Sequence, residues 1–218
     1  MTPAAPAWLD PLRNAVSTIR PEQLSRYLPP PEGGRDSAVL ILLGEGPQGP
    51  DVLLVQRADA LRSHPGQPAF PGGAADPGDG GPTGTALREA AEEVGVLVAG
   101  VTVLAELPQL YLPPSGFVVT PVLAWWHEPS VVVVDPQETE TAHRVPIAEL
   151  VDPANRYSWR HPSGFVGPAF DVRGMLVWGF TAGLLDGVLT LGGWTRPWDD
   201  GDVRDLPPRV VALLGGPR

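Results

Sequence analysis

Aliphatic residues fall into two periods along the chain. Ala38 to Leu43 and Asp51 to Arg57 are apolar runs divided by a Gly-Pro turn, the pattern of two joined strands, and Val101 to Leu107 and Phe117 to Trp126 repeat it downstream. Between these pairs the period lengthens. Leu87, Ala90, Ala91 and Val94 recur at helical spacing and predict a helix over about Thr85 to Val94, with Thr83 or Thr85 as N-cap and Gly95 as a left-handed stop. Its other side carries Glu89, Glu92 and Glu93, an acidic edge expected to open onto solvent or ligand.

A second helix is expected over about Gly174 to Val188. Gly179, Gly183 and Gly187 recur there every four residues, although each costs roughly 1 kcal/mol relative to Ala. Such a row predicts close approach by another backbone, either the sheet or a second chain, so a homodimer stays open. At the front, Leu12, Val16 and Ile19 lie at helical intervals in an arm from about Leu9 to Leu28, broken near Pro21, which caps the core or a partner subunit. The run Leu28-Pro29-Pro30-Pro31-Glu32-Gly33-Gly34 reads as a linker. Strands on both sides of a helix argue an α/β sandwich on a mixed sheet. The expected division is an arm and linker over 1–35, a core domain over 36–192 and a C-terminal extension over 193–218.

Three carboxylates on one short helix ask for a cation. Neighbours three and four apart repel by roughly 0.2 to 0.5 kcal/mol per pair, and negative charge towards the C-terminal half of a helix is disfavoured by its dipole. Carboxylates without clustered Cys or His suit Mg2+ or Mn2+, hard ions that keep several waters for phosphate oxygens to replace. Upstream, Gly72-Gly73 lets backbone pass close to an ion or phosphate.

The segment resembles the Nudix box, G-x5-E-x7-R-E-U-x-E-E-x-G-U, where U is a bulky aliphatic residue. Arg88, Glu89, Glu92, Glu93, Gly95 and Val96 match it, and Gly73 takes the opening glycine. Asp79 stands where the box has its first Glu, one extra residue separates it from Arg88, and Ala90 is small at the first U position. A second stretch, Leu53-Leu54-Val55-Gln56-Arg57-Ala58 with Arg62, Gly66 and Phe70-Pro71-Gly72-Gly73, resembles the signature of the coenzyme A pyrophosphatase branch, with Val55 in place of a hydroxyl residue. Leu150 to Asn155 and Val177 to Gly183 also look like segments of that group. The likeness covers about Ser37 to Leu189.

The resemblance implies a Nudix-type α/β/α sandwich with a mixed β-sheet. It also implies metal-dependent hydrolysis of the pyrophosphate linkage of coenzyme A or its derivatives. Glu89, Glu92 and Glu93 are then the expected metal ligands, and Arg88 orients a glutamate. The general base is Glu89 or a residue from a later loop: Glu138 aligns with a loop glutamate of the family, with Glu140 as the fallback. Arg57 or Arg62 is expected to meet substrate phosphates by charge-assisted contacts, beside Gly72 and Gly73, with Val55, Phe70 and Tyr111 as apolar walls. The same box serves Nudix enzymes for ADP-ribose or other nucleotides, and a noncatalytic nucleotide-sensing module is the more distant alternative.

Composition and the remaining conspicuous residues narrow the picture further. No cysteine occurs, which removes disulfides, thiol chemistry and Cys zinc sites. His64, His127, His143 and His161 lack zinc spacing, and Ser63 and Ser163 lack a serine-hydrolase setting. No signal-peptide form or bilayer-length apolar run is seen, so a cytoplasmic protein without membrane partners is expected. A net charge of −10 opposes nucleic-acid binding and repels anionic nucleotides as well. The expected partner is a small nucleotide, admitted where a cation and arginines reverse the field. Trp125, Trp126, Trp194 and Trp198 read as core or interface anchors.

Overall fold

The computed structural model describes residues 3–25, 27–30, 32–61, 65–113 and 115–212, with backbone alone at 213 and 214. Arg62, Ser63 and His64 lie outside the described residues.

Strands β1 (Arg35–Gly46), β2 (Gly49–Arg57), β3 (Pro68–Ala69) and β4 (Gly72–Ala74) precede helix α2 (Pro82–Val94), which follows an N-terminal α1 (Asp10–Val16). After α2 come β5 (Val101–Glu106), β6 (Leu110–Leu112), β7 (Phe117–Trp126) and β8 (Thr139–Pro146), which completes the main sheet. β1 and β7 run parallel from Arg35 beside Phe117 to Leu43 beside Trp125, whereas β2, β4, β5, β6 and β8 join antiparallel, so the sheet is mixed.

Both faces of the central strand are buried, as its nearly continuous apolar run requires. Ala38, Leu40 and Leu42 cluster with Ala86, Ala90 and Val94 of α2, while Ile41 and Leu43 join the opposite core. That second core is closed by Leu12 of α1 and by Leu184, Leu185 and Val188 of α4 (Gly179–Leu191), after the short helix α3 (Ile147–Leu150). The result is an α/β/α sandwich. The N-terminal arm caps the core of its own chain, with Leu9 and Leu12 fully buried, although its helix covers only Asp10–Val16 and single turns occupy Ala7–Leu9 and Pro21–Gln23.

A second sheet was not expected from the sequence. Among the described residues it comprises β9 (Arg156–Arg160), β10 (Val166–Val172), β11 (Met175–Val177) and β12 (Val203–Asp205), followed by α5 (Pro208–Leu214). β12 pairs parallel to β9, so the C-terminal segment contributes a strand to this sheet. Trp194 packs on Trp8 with ring centres 5.7 Å apart, and the guanidinium of Arg156 lies 4.5 Å from the ring of Trp198.

Three local expectations need correction. α2 starts at Pro82 after Gly81, whose φ of +123° suits glycine, and no threonine caps it through a side chain. Thr83 instead bonds Glu106, and Thr85 bonds Asp79. The second long helix starts at Gly179, because Met175–Val177 turns back on β10 as a strand through Arg173 and Gly174, both at positive φ. Among the described residues the glycine row meets no backbone of another element: a Cβ at Gly183 would have nothing within 4 Å, and one at Gly187 would meet only the side chain of Leu24. Gly183→Ala is therefore expected to raise stability by about 0.5 to 1 kcal/mol in denaturant melts. A loss of that size would restore the close-packing view.

Candidate active site

The site lies where the main sheet changes partners. β1 pairs with β4 over Ser37–Val39 and with β2 only from Leu43 onward, while β3 lies beside Val55 and Gln56 of β2 and β8 follows the other edge of β2 from Asp51 to Arg57. The parting places Gly72 and Gly73 of β4, Arg57 at the end of β2 and the entry to β8 around the glutamates of α2. Gly95, at φ +69°, stops the helix just beyond them by donating its N–H to the Ala91 carbonyl.

Glu89 and Glu93 are one helical turn apart and both turn toward β4. The Gly72 N–H donates to Glu93 Oε2 at 3.1 Å, and Arg57 Nη1 lies 3.5 Å from Oε1 of the same carboxylate. Gly73 leaves its side-chain space to Glu89, since a Cβ there would stand 2.4 Å from Oε1. The third carboxylate comes from Glu138, just before β8, whose carbonyl accepts the Ala58 N–H at 2.9 Å. One oxygen from each of Glu89, Glu93 and Glu138 lies within 4.8 Å of the others.

The acidic edge is thus not an open face. Glu93 has a side chain only 2% exposed, and burial pushes its pKa up to about 7 against the opposing pull of the Gly72 N–H and Arg57, with Glu89 and Glu138 adding to the rise. Burial raises Glu89 as well, countered chiefly by Arg88. Three carboxylates converge on one point, with Glu93 buried, Glu89 half-buried and, among the described residues, only Arg57 and Arg88 opposing them, and a divalent cation with oxygen preference would offset that charge, so the donor set fits such an ion.

Arg88 is held on several sides. Its Nε and Nη2 meet the two oxygens of Asp79 at 2.7 and 3.1 Å, Nη2 also reaches the Ala74 carbonyl at 3.1 Å, and Nη1 lies 3.0 Å from Glu89 Oε1 and 2.9 Å from Glu92 Oε2. Asp79 also accepts from Thr85 Oγ1 and the Asp76 N–H, each at 2.8 Å. The bidentate arginine, with these bonds, holds the Asp79 carboxyl far below the usual range. The shorter acid is therefore an anchor for Arg88. Nothing local in the sequence announces that role, because the two residues meet through the turn before α2.

The other expected residues are distributed unevenly. Glu92, with its side chain 60% exposed, is bound to Arg88 and stands outside the trio, and Glu140 is exposed and outside it too. Val55 and Phe70 are 0% and 3% exposed, packed into opposite cores, so neither offers a wall to a ligand. Tyr111 is half-buried on β6. Of the histidines, His127 packs on the Trp125 ring and His161 bonds Ser163 Oγ through Nδ1. The Gly72 amide and the Arg57–Glu93 contact were not foreseen.

An α/β/α sandwich in which a helix and a glycine turn converge carboxylates on one point is the frame of a divalent-metal hydrolase. The chain belongs to the Nudix family: the NUDIX domain model matches residues 34–168. It is 37% identical over 153 residues to an uncharacterized Nudix hydrolase, NudL, of Yersinia enterocolitica, covering 68% of this chain and 77% of that protein. With the NudL of an Enterobacter species it shares 35% over 184 residues, covering 81% and 91%. The Nudix hydrolase RenU of M. smegmatis superposes with a TM-score of 0.51 at 20% identity, over 77% of this chain and 91% of that one, a likeness of fold. Among the described residues no helix is long and apolar enough to cross a membrane.

Proposed function

We propose that this Nudix hydrolase cleaves the pyrophosphate linkage of coenzyme A, or of its acyl or oxidised forms, to phosphopantetheine or its derivative and adenosine 3′,5′-bisphosphate, with Mg2+ or Mn2+. The observation that carries the reaction is the convergence of Glu89, Glu93 and Glu138 on one point, with Glu93 buried. Support for the substrate comes from the stretch Leu53 to Gly73, which resembles the coenzyme A branch and here supplies the β2 and β4 sides of the site.

Glu89 and Glu93 would hold the ion, and Arg88 fixes Glu89. Glu92, drawn off by Arg88, is not part of the ligand set we propose. The chemistry supplied by a bound divalent ion is neutralisation of phosphate oxygens and a lower pKa for water. Glu138, the exposed member of the trio, takes the proton of the attacking water. Arg57, 23% exposed and joined to Glu93 at the long distance of 3.5 Å, is the described cation placed to meet a phosphate oxygen; Arg62 keeps the same proposed role.

Glu138→Gln is expected to lower kcat about 10² to 10⁴-fold in steady-state assays. Full activity would move the base to Glu89. For the substrate, competition decides: coenzyme A should be cleaved in preference to ADP-ribose when both are present, and the reverse order would leave the metal site standing and remove the branch assignment.

A further inference from the structure

Two buried polar atoms on residues next to the acidic trio have no partner among the described residues. Thr139, the first residue of β8, is 1% exposed with its Oγ1 unpaired, and Nε of Arg57 is buried and unpaired as well. The two residues are direct partners in the antiparallel pairing of β2 with β8, at the bulge beside Gln56, so their side chains leave the sheet on the same face. That face is the one from which Arg57 reaches Glu93 Oε1 with its other end. A buried donor or hydroxyl left without a partner is destabilising, and two of them on residues paired across adjacent strands can share one bridging water. The donor chemistry agrees. Nε–H only donates, whereas a threonine hydroxyl gives or receives, so a single water satisfies both.

We propose that Thr139 is a positioning residue of the metal site: through a bound water it fixes the Arg57 guanidinium, and through Arg57 the Glu93 carboxylate. The contact of Arg57 with Glu93, at 3.5 Å, is too long to fix the guanidinium plane by itself, and the hydroxyl supplies the second point. Thr139 acts next to Glu138 in sequence, yet its part is separate, since Glu138 presents its carboxylate to the trio directly. The inference rests on the reading of Glu89 and Glu93 as metal ligands.

Calorimetric Mn2+ binding, with no substrate present, tests it on wild type, Thr139→Val and Thr139→Ser. Thr139→Val keeps the shape and removes the hydroxyl, and is expected to weaken Mn2+ binding about tenfold or more, while Thr139→Ser stays within about threefold of wild type. Melting temperatures of the metal-free proteins separate this from loss of fold, and a high-resolution crystal structure of the metal-free protein should show water density between Thr139 Oγ1 and Arg57 Nε. Equal Mn2+ binding by wild type and Thr139→Val overturns the inference alone, as does equal weakening in Thr139→Ser. Wild-type protein that binds no Mn2+ overturns the metal reading, and the inference with it.

Discussion

Glu93→Gln is expected to lower metal-dependent turnover by about 10³-fold or more, the equivalent of roughly 4 kcal/mol of transition-state stabilisation. The same change should flatten the pH dependence of stability in the metal-free protein. The Glu93 carboxyl moves from an ordinary 4.5 to about 7 on folding, chiefly through burial. Folding therefore favours its protonated form. Below about pH 4.5 the group is protonated in both states; between about 4.5 and 7 the unfolded chain gives up the proton that the folded protein keeps, so stability falls by about 3 kcal/mol and then levels off above about 7. A glutamine has no such transition. It offers one acceptor to two donors, the Gly72 N–H and Arg57, but that local cost does not vary with pH. Thermal melts between pH 5 and 8 in the presence of chelator check this: wild type should lose stability up to about pH 7 and level off beyond it, Glu93→Gln should lack that component, and Mn2+ at pH 8 should restore wild type alone. Parallel pH profiles would show that Glu93 is already ionised at low pH.

Gly73→Ala should separate activity from stability. The three atoms nearest a Cβ at that position all belong to the carboxylate end of Glu89, and a flexible side-chain end can swing away. The fold is then kept while Glu89 leaves the site. A displacement of about 1 Å in a catalytic group costs on the order of 100-fold in rate, and a melting temperature within about 3 °C of wild type is expected alongside it. Gly72 is the contrasting position, because a Cβ there would press on the Ala38 carbonyl and the Val39 Cα, backbone that cannot turn aside. Steady-state kinetics with differential scanning fluorimetry on Gly73→Ala decide the matter. Wild-type kcat would mean that Glu89 does not work from the position seen here.

The parts of this account that were legible in the sequence are those set by local pattern. Phe117–Trp126 is a strand over the whole expected range, since an apolar run interrupted only by Thr120 and bounded by Gly116 and His127 admits little else. Gly95 ends α2 as expected, for only its positive φ is needed there. α2 starts earlier than its apolar spacing predicts: Pro82 suits the first helical position, and Thr83 and Gly84, poor helix formers, follow it with Thr83 bonded to Glu106, 23 residues away. Met175–Val177 reads as helix on hydrophobicity, and the hairpin at Arg173 and Gly174 that makes it a strand depends on its pairing with β10.

The ligand trio shows the same division. Helical spacing places Glu89 and Glu93 together, but it cannot tell that Arg88 draws Glu92 outward or that Glu93 is sealed by Gly72 and Arg57. Glu138 enters through the path of the chain between β7 and β8, where Asp135 N–H bonds the Glu93 carbonyl at 2.9 Å and so ties the loop to the helix. The second sheet was invisible for a related reason. Its strands are short, and β12 joins β9 from a distant part of the chain.

The most direct measurement is mass-spectrometric product analysis after incubation of the protein with coenzyme A and Mg2+ or Mn2+, beside a chelated sample and Glu93→Gln. The predicted result is phosphopantetheine and adenosine 3′,5′-bisphosphate in the metal-containing wild-type sample and neither product in the two controls. Intact coenzyme A in every sample, or the same products after thorough chelation, would contradict the account.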